Sequence, residues 1–323
     1  MATPPLGWIT PKERTRQQEN AHDAACATLT TKFALAPVTL DKGQKIALYE
    51  AWNHPDVVAE TGKPFKRVWQ KTGSCVWAGA SAALYTTIAM QRIAGVQPTK
   101  AFIPFTLHNY AMSRHYFGDD GQGEGSLGST FWKSLIEDGV RDWPPDPSDN
   151  LPDYKIEDDA FSMTRKEELT WSSYRHPGVK EVLETSKVHT IAAAGECKSV
   201  EDVLAMITNG YGVSFACNNY VGNGKIKGSG ENAYVTGYWD GRGGHQQAIL
   251  AVWNHPNDGM LYWAQNNWPS STYPKDPAGG PTCGVWVTEA KVKAAMKMSG
   301  EVYGLSKLKW FPAQPRVLDW SQI

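Results

Sequence analysis

Gly73-Ser74-Cys75-Val76-Trp77-Ala78-Gly79-Ala80-Ser81-Ala82-Ala83-Leu84 is the stretch on which the fold turns. From Ser74 the apolar positions Trp77, Ala80, Leu84, Ile88 and Ile93 recur at helical spacing. A helix with one buried face is predicted, with Ser74 as N-cap and Gly95 as the stop. Cys75 then lies in the first turn, where exposed backbone N–H groups and the positive end of the helix dipole favour thiolate over thiol. A lone cysteine on a helix is ordinarily a small buried residue, so a nucleophile must be argued from its partners: a base, and a group that orients the base.

Both lie further along the chain. Gly244-His245 opens an alternating run, with Gln247, Ile249 and Ala251 set against Ala248, Leu250 and Val252. Asn254-His255-Pro256-Asn257-Asp258-Gly259 reverses the chain, and Met260–Gln265 returns as a second strand ending in Asn266-Asn267-Trp268. In such a hairpin the start of the first strand lies beside the end of the second, which brings His245 to Asn266 by local pairing alone. An Asn carbonyl can accept the imidazole N–H and fix its tautomer, and Trp268 could shield that bond from water.

Working outward, helices are predicted over Phe105–Tyr116 and Thr130–Glu137, separated by the loop Gly118–Gly125. Asp119, Asp120 and Glu124 in that loop lack the ligand spacing of an EF-hand and read as a solvated loop. Trp143–Asp159 reads as a connection. Short β-rich runs follow at Val188–Ala193, Gly212–Ala216, Gln247–Trp253, Leu261–Ala264 and Gly284–Val287. Helices first and strands later imply an α+β architecture rather than a doubly wound sheet. The division is an N-terminal extension at 1–65, a helical lobe at 66–187, a β-rich lobe at 188–310 and a C-terminal tail at 311–323. The extension is expected to hold a helix near Arg14–Ala27 and a strand near Phe33–Leu40. His22 and Cys26 could share a helix face, but no second pair completes a metal site.

At 323 residues, with 41% hydrophobic and 20% charged residues and a net charge of -1, the chain carries no electrostatic footprint for nucleic acid. Met1-Ala2-Thr3-Pro4-Pro5 leads straight into Pro11-Lys12-Glu13-Arg14 without the apolar core of a secretory signal, and no run is long enough to span a bilayer. Five widely spaced cysteines make an odd set rather than a disulfide framework, which points to a reducing compartment. The expected location is cytoplasmic or virion-associated.

Gly73-Ser74-Cys75, Gly244-His245 and Gln265-Asn266-Asn267-Trp268 resemble, in order, the three signature segments of papain-like cysteine peptidases. Gly128-Ser129-Thr130-Phe131-Trp132, Gly210-Tyr211-Gly212-Val213 and Cys283-Gly284-Val285-Trp286 are similar to further segments of that family. The resemblance covers about residues 66 to 310 and implies a two-lobe fold, helical then β-barrel-like, with the cleft between the lobes.

It implies Cys75 as nucleophile, His245 as general acid and base, Asn266 as the orienting residue, and Gln70 as the oxyanion donor beside the Cys75 amide. Gly128 and Ser129 would offer backbone groups to an extended peptide, and neither metal nor cofactor is needed. Several positions depart from the family. Gln70 stands five residues before Cys75, where six are expected; Val76 replaces an aromatic residue; Asn267-Trp268-Pro269 replaces Ser-Trp-Gly; and Thr72 stands where one half of a disulfide would be. The expected function is peptide-bond hydrolysis through a thioester, with a peptide or protein as partner. The alternatives are a papain-fold structural or binding component of a larger assembly such as a virion, and an amidase or cell-wall peptide hydrolase. The extension could be a permanent arm, an occluding segment or an assembly contact.

Overall fold

The computed structural model describes residues 7–308 except 30–34, 36, 96–99, 122–123, 144–150, 153–154, 187–188, 190, 219–220, 240–242, 270, 272 and 299. The expected tail at 311–323 and most of the expected strand at Phe33–Leu40 lie outside these residues; Leu35 and Pro37–Leu40 form no strand.

Helix α1 (Arg16–Cys26) opens with a complete capping box, in which Thr15 and Gln18 satisfy each other's backbone N–H groups. The chain then contributes strand β1 (Lys45–Ala47), a 3-10 turn at Leu48–Asn53, and α2 (Pro55–Thr61) with proline at its first position. This half of the expected extension belongs to the folded body. Leu48, Ala51 and Trp52 are buried in the core, and β1 pairs with the strand that carries His245.

After β2 (Arg67–Val68) comes α3 (Cys75–Ile93), the helix read from the sequence. The expectation of one buried face is exceeded: every residue from Cys75 to Gln91 is buried. A helix apolar or small on all sides is a central helix, and its run of alanines with Gly79 and Ser81 lets neighbouring backbones approach closely. An added Cβ on Gly79 would lie 3.0 Å from the carbonyl oxygens of Gln246 and Gln247. Around α3 the first lobe adds β3 (Ile103–Phe105), α4 (Leu107–His115), α5 (Gly128–Glu137), β4 (Arg141–Trp143), β5 (Lys155–Glu157), β6 (Ala160–Ser162), α6 (Arg165–Trp171) and α7 (Pro177–Thr185).

The second lobe holds β7 (Ile191–Glu196), α8 (Val200–Thr208), β8 (Val213–Cys217), β9 (Val221–Lys227), β10 (Tyr234–Trp239), β11 (His245–His255), β12 (Gly259–Gln265), β13 (Gly284–Thr288), α9 (Glu289–Lys297) and β14 (Glu301–Leu308). Its sheet runs β7-β14-β8-β11-β12-β13-β10-β9, with β1 laid on β11. The β11–β12 hairpin forms as expected, with His255 opposite Gly259 and Ala248 opposite Gln265. Strands β9, β10 and β14 were not foreseen. Among the described residues no helix is long and apolar enough to cross a membrane.

Candidate active site

The hairpin delivers its two polar residues to one place. His245 Nε2 lies 2.8 Å from Asn266 Oδ1. The Asn266 carbonyl also accepts the Asn267 backbone N–H at 2.7 Å, and its amide nitrogen donates to the Tyr273 hydroxyl at 2.6 Å. A backbone N–H can only donate, so it fixes which end of the Asn266 side chain is oxygen. Nε2 of His245 therefore carries the hydrogen, and acid–base chemistry falls to Nδ1. Trp268 stacks on the imidazole, with ring centroids 4.8 Å apart and 28° between planes. Its own carbonyl is held by Arg67 at 2.7 Å and by the Cys283 thiol at 2.8 Å.

Cys75 begins α3 with no exposed surface. Backbone N–H groups of Gln246, Gly7, Val76 and Trp8 favour its thiolate, yet burial outweighs them and pushes the thiol up to about 12. That reverses the low-pKa thiolate expected from the helix position. Burial likewise pulls His245 down to about 4, against the Asn266 hydrogen bond, which acts to raise it. At neutral pH the pair is uncharged in this structure.

The chain's own N-terminal segment takes part in the burial, since backbone groups of Gly7 and Trp8 reach the thiol. Trp8 pairs in parallel with Ser126: Ser126 N–H donates to the Gly7 carbonyl at 2.7 Å, and Ile9 N–H donates to the Ser126 carbonyl at 3.0 Å. On the other side Trp8 N–H reaches the Gly244 carbonyl at 3.3 Å. Residues 7–9 are thus stitched to both lobes across the entrance to Cys75. The Trp8 indole donates to Glu301 at 3.1 Å, and the same carboxylate takes the Arg14 guanidinium and, at 2.7 Å, the Ser129 N–H.

Gly128 and Ser129, expected to offer backbone groups to a peptide, instead form the buried first turn of α5, with the Ser129 amide engaged by Glu301 and its hydroxyl 2.8 Å from His22 Nδ1. The residue that pairs with an extended segment is Ser126. It precedes the quoted Gly-Ser motif by two positions, and nothing in its residue type marks it.

Gln70 is buried on the loop before Cys75. Its N–H donates to the Asn267 carbonyl at 3.0 Å and its side-chain amide to the Thr72 carbonyl at 3.0 Å. Ser74 occupies the N-cap position without capping, because its hydroxyl goes to Glu168. Gly73 is clamped from both ends: its N–H donates to Glu124 at 2.6 Å and its carbonyl accepts the Tyr110 hydroxyl at 2.9 Å. Glu124 is therefore more than a member of a solvated loop. Asp119 and Asp120 pair with Arg114 and His115. His22 and Cys26 do share a helix face, with Sγ 3.6 Å from Nε2. Among the described residues no group of acidic, histidine and cysteine side chains could hold a metal ion.

The Cys75 thiol at the start of α3 is thus reached by the backbone of Gln246, the residue next to His245, whose ring is held by Asn266. The layout is α+β, a helix-rich lobe followed by a sheet-bearing one. No family model matches the chain, and no curated protein matches it. Among solved structures it is similar to xylellain, a cysteine protease from Xylella fastidiosa, at 15% identity over 86% of this chain and 94% of that one, with a TM-score of 0.49. It is also similar to procathepsin L 3 of Tenebrio molitor larval midgut, at 11% identity over 94% and 83% of the two chains and a TM-score of 0.48. For procathepsin B S9 from Trypanosoma congolense the values are 10%, 93%, 91% and 0.45.

Proposed function

We propose that this chain is a papain-like cysteine peptidase held in a closed form by its residues 7–10. The observation that carries the reading is the juxtaposition of the Cys75-bearing helix end with the Gly244–Gln246 segment, next to the His245–Asn266 pair fixed in its donor tautomer. Once the segment leaves, water reaches Cys75 and His245, and the burial that suppresses the ion pair is relieved. Cys75 Sγ gives its proton to His245 Nδ1 and attacks the scissile carbonyl carbon. Gln70 and the Cys75 amide hold the oxyanion, and His245 hands the proton to the departing amine. His245 then takes a proton from water, whose oxygen attacks the thioester and releases the acid and the free thiol. Ser126 supports the reading, since its backbone already pairs with an extended segment in the manner of strand addition.

A second reading, a binding component with a silent site, is favoured by one observation: Cys75 is fully covered and its thiol raised. Incubating the full chain and its Gly7→Ala variant with a fluorogenic peptide library separates the two. The peptidase reading expects turnover in the variant that vanishes in Gly7→Ala/Cys75→Ser. An opened variant that cleaves no peptide leaves the binding component as the better account.

A further inference from the structure

The loop Gln70-Lys71-Thr72-Gly73-Ser74 contains no cysteine, so no disulfide holds it. Beside the Glu124 and Tyr110 bonds to Gly73, a single buried carboxylate gathers the rest of it. Glu168, in α6, has no exposed surface, and its four donors all come from the loop: Lys71 N–H at 2.8 Å to one oxygen, and Thr72 N–H at 3.1 Å with the Thr72 and Ser74 hydroxyls to the other. All four donors are neutral, so the cost of burying the carboxylate is offset by hydrogen bonds alone. The chain approaches α6 in a way that aims this residue inward. Thr164 and Glu167 close a capping box that fixes the start of the helix, and Glu168 is the next residue.

The anchorage leads to the reacting atoms by a short route. Glu168 fixes the Thr72 amide and hydroxyl; the Thr72 carbonyl accepts the Gln70 side-chain amide; and Ser74, also held by Glu168, is bonded to Cys75. We propose that Glu168 is a positioning residue for the reaction, a polar staple that sets the plane of the Gln70 amide relative to the Cys75 N–H; this rests on the peptidase reading above. A neutral glutamine in its place turns an N–H₂ group toward a donor of the loop, forcing that donor or the loop to move.

The test uses the full chain carrying Gly7→Ala, with Glu168→Gln and Gln70→Ala added singly and together. Two rates are read: turnover of a fluorogenic peptide, split into kcat and KM, and alkylation of Cys75 by iodoacetamide. Alkylation develops no oxyanion, whereas acylation does. Positioning of Gln70 predicts that Glu168→Gln lowers kcat by roughly 10- to 100-fold, part of the ~10²–10³ that one oxyanion donor contributes, while KM and the alkylation rate stay within about twofold. It also predicts little further loss when Glu168→Gln is added to Gln70→Ala. Equal losses in both rates, unchanged kcat, or full additivity would each overturn the proposal. Should Glu168→Gln fail to fold, Thr72→Val, which removes one hydroxyl donor, is read the same way, with Thr72→Ser expected to restore kcat. Absence of any turnover in the Gly7→Ala parent, with Cys75 still alkylated, marks failure of the peptidase reading itself and removes the catalytic role with it.

Discussion

An added Cβ on Gly7 would lie 1.6 Å from the carbonyl oxygen of Gly73. The added Cβ has no torsion by which to escape and the atom it meets is backbone, while Gly73 is clamped by Glu124 and Tyr110, so the relief must come from the N-terminal segment. Gly7→Ala is expected to displace residues 7–9 from the entrance to Cys75. Iodoacetamide labelling of Cys75 at pH 7, followed by peptide mass spectrometry, should rise at least roughly tenfold, from the rate of a buried thiol toward that of an activated one. Unchanged labelling would mean that the segment does not control access.

Glu301 anchors the segment by accepting from Trp8, Arg14 and Ser129. The Arg14 side chain is only 3% exposed, so Glu301→Gln leaves its guanidinium with the half-exposed Glu19 carboxylate alone, at 3.3 Å. Breaking a buried pair in this way costs about 3–5 kcal/mol, while burial of the Trp8 ring contributes roughly 4–6 kcal/mol at ~25 cal/mol per Å² over ~150–250 Å². The loss offsets most of that gain, so release becomes easier. Limited proteolysis should cut within residues 7–14 faster in Glu301→Gln than in the parent, and Arg14→Gln added to it should restore part of the protection.

The His245 pKa falls from 6.5 to about 4 on burial, so the closed state resists protonation. A folded pKa below the unfolded one gives stability that is present above pH 6.5 and lost as the pH falls through about 4. The full effect is roughly 3 kcal/mol. Burial raises Glu50 and Glu168, which act in the opposite sense, so the informative quantity is a difference. The urea midpoint of the parent, relative to His245→Gln, should drop between pH 6.5 and 4. Cys75 predicts the alkaline counterpart: stability present below pH 9 and lost as the pH rises through about 12. A flat difference against Cys75→Ser in that range would contradict the assigned burial.

Asn266→Ala removes the acceptor of both the His245 ring and the Asn267 N–H. Leaving buried donors unmatched costs about 1–3 kcal/mol each. With the tautomer no longer fixed, kcat in the Gly7→Ala background should fall roughly tenfold or more, within the ~10²–10⁴ that acid–base catalysis contributes. Steady-state kinetics with a KM close to the parent's would identify the loss as one of orientation.

The site elements that could be read from the sequence are those set by local pattern. Alternation on either side of Asn254–Gly259 set the β11–β12 hairpin, and the hairpin alone places His245 against Asn266. Helical spacing from Ser74 set α3, although the buried small residues between the large ones hid the fact that it is wrapped on all sides. What could not be read is contact between distant segments. Gly7 and Trp8 sit in a run without periodicity, and their meaning appears only where Ser126 and Gly244 approach from two lobes. Glu168 stands in Arg165-Lys166-Glu167-Glu168, which looks like a solvated helix face, yet it is the member of that run with no exposure. The thiol shift failed for a related reason: the helix end that favours thiolate is a local feature, whereas its burial involves distant segments, Gln246 and the Gly7–Trp8 stretch.

The parallel pairing of Trp8 with Ser126 makes the N-terminal segment a tethered ligand of its own fold, joined through α1 and the rest of the chain to the surface that it covers. For a tethered ligand the competing concentration is set by the linkage, on the order of millimolar for a short flexible one, and not by the amount of protein in solution. Dilution therefore leaves the molecule shut. A peptide competing for the same backbone groups must reach that effective concentration, or else arrive after the tether has been cut or its Glu301 anchor lost.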